Sequence, residues 1–236
     1  MTGVAIPAAA KARPANSLLA ALPARAYARL AGRLEPVSLK LGHVICEPSE
    51  ETRHVYFPGS SLLSLVAVAD GKGLEVGMIG FEGMLGVSVA LGDARSPVRV
   101  LVQGEGTAMR MTVKAFRAEL KRSPVLRQET SRYAYIAMAT AMQVAACNNA
   151  HVLMPRLARW LLMTSDCLAR NSFVLTQEFL AVMLGVRRTA VSQAAASLQD
   201  ARLIRYRRGR IAIIDRPGLV AAACGCYATI RKLSAA

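Results

Sequence analysis

Thr176-Gln-Glu-Phe-Leu-Ala-Val-Met-Leu-Gly185, followed by Val186-Arg-Arg-Thr-Ala-Val-Ser-Gln-Ala-Ala-Ala-Ser-Leu198-Gln-Asp200, holds two helical patterns on either side of one glycine. Thr176 is placed to cap a helix, and Glu178 falls in its first turn, where the helix dipole favours an anion. Phe179, Leu180, Met183 and Leu184 recur at helical spacing until Gly185 ends the run. After the two-residue step Gly185-Val186 a second helix can run to about Asp200, burying Val191, Ala194, Ala195 and Leu198 and leaving Arg188, Thr189, Ser192 and Gln193 on the opposite face. Two short helices about a tight glycine turn, the second with a small, polar and basic outer face, form the arrangement that lets a helix lie in the DNA major groove.

The residues that follow extend this reading. Leu203 to Tyr206 and Arg210 to Ile214 are two β-like runs around Arg207-Arg208-Gly209, which predicts a hairpin with arginine at its tip, a wing beside the recognition helix. From Arg187 to Arg210 there are seven arginines and one acid, Asp200, a balance that favours DNA over a merely solvated basic surface. Arg188, Thr189, Ser192 and Gln193 are therefore the candidate base-reading residues. Thr176, Arg187, Arg207, Arg208 and Arg210 are the candidate phosphate contacts.

The net charge of +15 over 236 residues is unevenly spread. Residues 153–236 hold 13 Lys/Arg against 4 Asp/Glu, a balance of +9, whereas residues 21–152 hold 15 against 11, a balance of +4. A basic C-terminal third points to a polyanionic partner, most economically nucleic acid. A generic basic nucleic-acid-binding protein is the alternative; a basic RNA- or membrane-associated protein is a further class, disfavoured because aromatic residues are few and no stacking platform is visible. An enzyme is disfavoured because G-x-S-x-G, H-E-x-x-H and a phosphate-cradling Gly-Lys-Ser/Thr element are missing and His43, His54 and His151 are scattered.

Residues 1–16 read as a disordered arm without the charged-then-apolar order of a secretory signal, and a short helical pair follows over residues 17–32. From Leu34 to Met111 the texture changes to short β-like runs punctuated by glycines: Val37–Leu41, Val44–Cys46, His54–Phe57, Leu62–Val68, Leu74–Ile79, Val98–Val102 and Thr107–Met111. Such spacing predicts an antiparallel roll or barrel closing at about residue 122. Val113–Arg122 reads as a helix, and residues 125–151 continue as a long one. Tyr133 to Met154 carries no Asp, Glu, Lys or Arg, but its Gln, Asn, His and many Ala residues fit a buried helix better than a membrane span. Two apolar stripes, Tyr135/Met138/Met142/Ala145/Val152 and Tyr133/Ala137/Val144/Cys147, would let it pack on its own roll and on a second copy. Pro155 is read as the break into the last unit, residues 155–236. In that unit Arg156 and Arg159 lie either near phosphates or on solvated surface, and one final helix runs from Leu219 to about Leu233.

From about Phe57 to Tyr227 the chain resembles the bacterial Crp/Fnr transcription regulators, and Thr176 to Leu198 is similar to their helix-turn-helix without a gap. The resemblance implies an α+β protein with a cyclic-nucleotide-binding-like antiparallel β-roll (17–122), a dimerisation helix and hinge (123–154) and a winged helix-turn-helix (155–236). It further implies a cytoplasmic homodimer whose partners are double-stranded DNA and RNA polymerase. The family's base readers fall on Arg188, Thr189 and Gln193, where well-known members carry Arg, Glu and Arg, so its operator preference does not transfer. Members that hold cyclic nucleotide present a Gly-Glu pair to the ribose and an Arg-Ser pair to the phosphate. Here these fall on Gly86-Val87, which lacks the carboxylate, and on Arg95-Ser96. Gly86, Val87, Arg95 and Ser96 thus outline a pocket for some small-molecule effector, with cyclic nucleotide disfavoured because an unpaired ribose hydroxyl costs roughly 1–3 kcal/mol.

Cys46, Cys147, Cys167, Cys224 and Cys226 are odd in number, dispersed and without a C-x-x-C pair, so they read as cytosolic thiols. Iron–sulfur members of the family carry a cysteine cluster near the N-terminus, whereas nothing precedes Cys46 here. Cys147 and His151, four apart on one helix, and Cys224-Gly-Cys226 have spacings compatible with metal or oxidant sensing. Buried apolar thiols are the simpler reading, and neither a metal site nor a cofactor is assigned.

Overall fold

A computed structural model describes residues 14–235, so that residues 1–13 of the expected arm lie outside the described residues. The ordered chain starts before Ser17. Asn16 is buried, caps α1 (Ser17–Ala20) by accepting the Leu19 N–H, and donates to the carbonyls of Pro58 and Gly83 at 3.0 and 2.8 Å. Helix α2 (Ala24–Ala31) follows and seats Leu30 against the roll.

The roll consists of β1 (Glu35–Leu39), β2 (Val44–Cys46), β3 (His54–Pro58), β4 (Leu62–Ala69), β5 (Lys72–Ile79), β6 (Arg99–Gly104) and β7 (Gly106–Thr112), with a 3-10 helix over Val87–Leu91. All their pairings are antiparallel, in a three-stranded sheet ordered β1-β7-β3 and a four-stranded sheet ordered β2-β6-β4-β5. Leu39, Leu63, Ile79, Val100 and Val102 fill the space between the sheets. Strand β4 is apolar on both faces for a reason: Leu63 points into the roll, while Leu62 and Val66 join the core of the C-terminal helices. A strand covered on both faces reads as a continuous apolar run rather than an alternating one.

Thr112 caps α3 (Val113–Arg122), and Ser123 caps α4 (Pro124–Ala150), which opens on proline, where the missing N–H has no intrahelical partner to lose. Leu126, Thr130, Val144 and Cys147 bury one face of α4; Tyr135, Met138 and Met142 on another remain 61%, 50% and 62% exposed.

Beyond α4 lie α5 (Leu153–Leu168), β8 (Ser172–Val174), α6 (Gln177–Leu184), α7 (Arg188–Asp200), β9 (Ile204–Arg207), β10 (Arg210–Ile213), α8 (Arg216–Ala222) and α9 (Cys226–Ala235). Three features differ from those expected of the sequence. The chain breaks at His151–Val152, not at Pro155, which sits in the first turn of α5, where no i−4 carbonyl awaits its missing N–H. The final helix is two helices, because Cys224 and Cys226 are both buried and side chains two apart diverge by roughly 200° on a continuous helix. Arg156 and Arg159 are neither solvated nor near a phosphate-accessible surface: both are buried, since α5 is covered by β4, β5, α6, α7 and α8.

Candidate nucleic-acid interface

Local chemistry builds the two-helix element. Thr176 Oγ1 accepts the Phe179 N–H at 3.1 Å, which starts α6, and leaves the hydroxyl proton free. Gly185 ends α6 at φ +65°, and a Cβ there would lie 2.9 Å from Leu74 Cδ1 of strand β5. The turn between the helices is therefore left-handed and close to the roll, a position that favours glycine. Helix α7 buries Val191, Ala194, Ala195 and Leu198, the face expected from its spacing. Arg187, Arg188, Thr189 and Gln193 are exposed. Ser192 is half-buried, and its hydroxyl donates to Gln177 Oε1 of α6 at 2.7 Å, a strut that sets the angle between the two helices. Arg156 of α5 supports the same element from below, donating to the Leu184 carbonyl at 2.7 Å where the negative end of α6 needs a donor.

The wing is the β9–β10 hairpin, extended by β8 into a sheet of order β8-β10-β9. Its turn holds Arg208 at φ +50° and Gly209 at φ +72°, the two left-handed positions of a tight hairpin turn. Asn or Asp is the usual first residue of such a turn; an arginine carries a steric cost. Arg207 pairs in register with Arg210, placing like charges across the hairpin beside that tip. Three hydrogen bonds hold the wing in place. Tyr206 donates its hydroxyl to the Leu175 carbonyl at 2.8 Å and its N–H to Gln199 Oε1 at 2.7 Å, and Leu175 donates its N–H to the Gly209 carbonyl at 2.7 Å. The wing is thus fastened both to the start of α6 and to the end of α7. Burial raises the Tyr206 phenol above its ordinary value.

Arg187, Arg188, Arg202, Arg205, Arg207, Arg208 and Arg210 are all exposed, and none forms an ion pair among the described residues. Arg202 and Arg205 belong to this set although spacing alone did not single them out. Gln177, Gln199 and Tyr206, which position the element rather than present it, carry no local sequence signal, because each acts on a partner 7 to 31 residues away.

In the roll, Gly86 caps the 3-10 helix at φ +88°, and half-buried Val87 is its first residue. Arg95 is exposed; Ser96 is buried and donates its hydroxyl to the Val98 carbonyl at 2.6 Å. None of the four lines the cavity of about 460 Å³ between β5, α4, α5 and α9, which is walled by Met78, Phe81, Tyr133, Ile136 and Cys167. Glu82 also borders it, its carboxyl raised by burial and accepting the Gly80 N–H at 2.8 Å. No described helix is long and apolar enough to cross a membrane.

Residues 155–222 match the family described as the Crp-like helix-turn-helix domain. A comparison with curated proteins finds no match. Among solved structures, the chain is similar to a putative Crp/Fnr-family transcriptional regulator from Eubacterium rectale at 17% identity and TM-score 0.67, over 94% of this chain and 99% of that one. FixK2 from Bradyrhizobium japonicum aligns at 13% identity and TM-score 0.69, over 81% and 98%. The c-di-GMP-responsive global regulator CLP of Xanthomonas campestris aligns at 15% identity and TM-score 0.66, over 81% and 99%.

Proposed function

We propose, from a Crp/Fnr-type fold carrying a Crp-like helix-turn-helix domain at residues 155–222, that this protein is a sequence-specific DNA-binding transcription regulator. The observation that carries the reading is the set of seven exposed, ion-pair-free arginines around α7 and the wing. Like-charge crowding at Arg207/Arg210 is tolerated where a polyanion screens it.

Within this reading α7 enters the major groove with Arg188, Thr189 and Gln193 toward base edges, while Arg187, Arg207, Arg208, Arg210 and the Thr176 hydroxyl hold phosphates. Ser192 serves chiefly as the strut to Gln177. Residues 17–122 act as the sensor, 123–152 as dimerisation helix and hinge, and 153–236 as the DNA-binding unit of a cytoplasmic homodimer that also contacts RNA polymerase. The effector is a small molecule other than a cyclic nucleotide. Either the Gly86/Val87/Arg95/Ser96 region or the cavity beside Tyr133 receives it, and the cavity's contact with both roll and α5 suits it to signalling.

Selection of bound duplexes from a random pool, followed by gel retardation at physiological salt, tests the proposal. One near-palindromic sequence should be retained at least about 10³-fold better than random duplex. Equal retention of both would overturn it in favour of a generic polyanion binder.

A further inference from the structure

The fold brings together two pairs of residues that lie some seventy positions apart. Cys147 and His151 end helix α4; Cys224 and Cys226 lie in and just after the break between α8 and α9. Their three sulfurs and one ring nitrogen all lie within 4.8 Å of one another. Cys147 Sγ is 3.4 Å from Cys224 Sγ, and Cys226 Sγ is 3.8 Å from His151 Nδ1. A tetrahedral zinc ion with Zn–S bonds of about 2.3 Å separates its donors by roughly 3.8 Å, so these edges need only small adjustments. Among the described residues no other group of three or more His, Cys, Asp or Glu is arranged this way.

The surroundings call independently for negative charge. Arg156 and Arg159 are buried next to this cluster, within Coulombic reach of Cys147, and neither forms an ion pair with a carboxylate among the described residues. The Nε atom of each lacks a hydrogen-bond partner. Three neutral thiols leave Arg156 with only the Leu184 carbonyl and Arg159 with only the Met163 sulfur as hydrogen-bond partners, a costly arrangement for two buried cations. Zn²⁺ with three thiolates and a neutral imidazole carries a net charge of −1, which offsets part of that charge. Gln143 adds a donor of the kind that steadies a ligating thiolate, its Nε2 lying 3.1 Å from Cys226 Sγ.

We propose that Cys147, His151, Cys224 and Cys226 form a structural zinc site that pins the α8–α9 segment to the end of α4, across the break at His151–Val152. Binding displaces the thiol protons: one Zn²⁺ and three Cys–SH give the tris-thiolate complex and three protons, with His151 as the neutral fourth ligand. Three thiolates and one imidazole saturate a tetrahedral ion, leaving no open position, which is the character of a structural rather than a catalytic site. Zinc is the choice over harder cations because the donor set is sulfur and imidazole. The site stands or falls independently of DNA binding.

Metal analysis of the reduced full-length chain, and titration of its metal-free form with Co²⁺, provide the test. The expected result is one metal per chain, with the visible bands of tetrahedral cobalt and thiolate-to-cobalt charge transfer of three-sulfur intensity, displaced by one equivalent of Zn²⁺. Cys224→Ser should weaken binding by at least about tenfold and remove a third of the charge-transfer intensity, whereas Cys46→Ser should leave both unchanged. The proposal is overturned if the reduced wild-type chain takes up no cobalt at equimolar micromolar concentration. It is equally overturned if Cys147 and Cys224 are recovered as a disulfide without metal, or if binding survives replacement of all three cysteines. The wild-type spectrum decides the matter even where a variant fails to fold.

Discussion

Trp160 of α5 donates its indole N–H to the Glu75 carboxyl of β5 at 2.6 Å, and both residues are buried. The bond joins the C-terminal helices to the roll at the head of a longer chain of polar contacts. The second Glu75 oxygen lies 2.7 Å from Ser64 Oγ, Ser64 contacts Gln103 Oε1, and Gln103 Nε2 donates to Thr164 Oγ1 at 3.1 Å. Ser64 has one proton for two acceptors unless Glu75 is protonated. A protonated Glu75 donates to Ser64, which donates to Gln103, and every hydrogen is then used once. Burial agrees, pushing the Glu75 carboxyl up to about 8, against smaller opposing effects from Ser64, Trp160 and the Arg159 guanidinium.

This latch predicts a pH dependence of stability. The ordinary value for the carboxyl is 4.5, and the folded value is raised to about 8, so the folded chain keeps a proton that the unfolded chain releases. Stability from this group is fully present below 4.5 and is lost as pH rises through about 8, with a slope of at most about 1.4 kcal/mol per pH unit. Glu75→Gln reproduces the protonated pattern, and its advantage over wild type in denaturant melts should grow across that window. A constant difference from pH 5 to 8 would mean that Glu75 is not the titrating group. Glu75→Ala should cost about 1–3 kcal/mol by leaving the indole N–H unpaired.

Base reading and phosphate holding should separate by residue. Arg188→Ala is expected to lose about 1–3 kcal/mol on the selected operator and much less on scrambled duplex. Arg208→Ala should weaken both by similar factors and flatten the salt dependence by about one unit of slope per arm. Salt titrations on both duplexes measure this, and equal losses for Arg188→Ala would redraw the recognition face.

Arg208 also allows a test in which stability and binding move in opposite directions. Its φ of +50° suits asparagine better than arginine, so Arg208→Asn should stabilise the fold by about 0.5–1 kcal/mol while lowering DNA affinity. Thermal melts and retardation assays on the same preparation check both signs. A variant that is less stable would show that the arginine side chain makes packing contacts that outweigh the turn.

Helix α4 leaves Tyr135, Met138 and Met142 largely exposed along one face, an apolar surface suited to a second copy. Met138→Glu combined with Met142→Glu should convert a dimer to a folded monomer, since at least half of each residue's surface is open to solvent in one subunit. Sedimentation velocity at micromolar concentration reads the outcome, and a wild-type monomer would refute the dimer outright.

Cyclic AMP and cyclic GMP should bind more weakly than about 10 μM, roughly −7 kcal/mol, because Val87 offers the ribose no acceptor. Calorimetry with either nucleotide decides this, and tighter binding would restore the Gly86/Arg95 region as a nucleotide pocket.

Local chemistry made much of the molecule legible in sequence. The Thr176 cap, the Gly185 stop and the Val191/Ala194/Ala195/Leu198 face of α7 arise from neighbours within a few residues, and the structure contains them as read. Most roll strands were readable for the same reason, as short β-like runs between turn residues, although β1 and β5 begin two residues earlier than their apolar positions suggest. Tertiary contact alone decided the rest. Whether Arg156 and Arg159 meet water or protein depends on what covers α5, and that cover is assembled from β4 and β5, some eighty residues earlier, together with α6, α7 and α8 that follow. The apolar run of β4 announced a strand without saying that Val66 would face the C-terminal helices, or that Ser64 would join the Glu75 chain leading to them. Cys147/His151 and Cys224/Cys226 are each unremarkable alone. Their meeting required α4 to lie against α9 and the last helix to break at Cys224, outcomes of packing between distant segments that no local periodicity encodes.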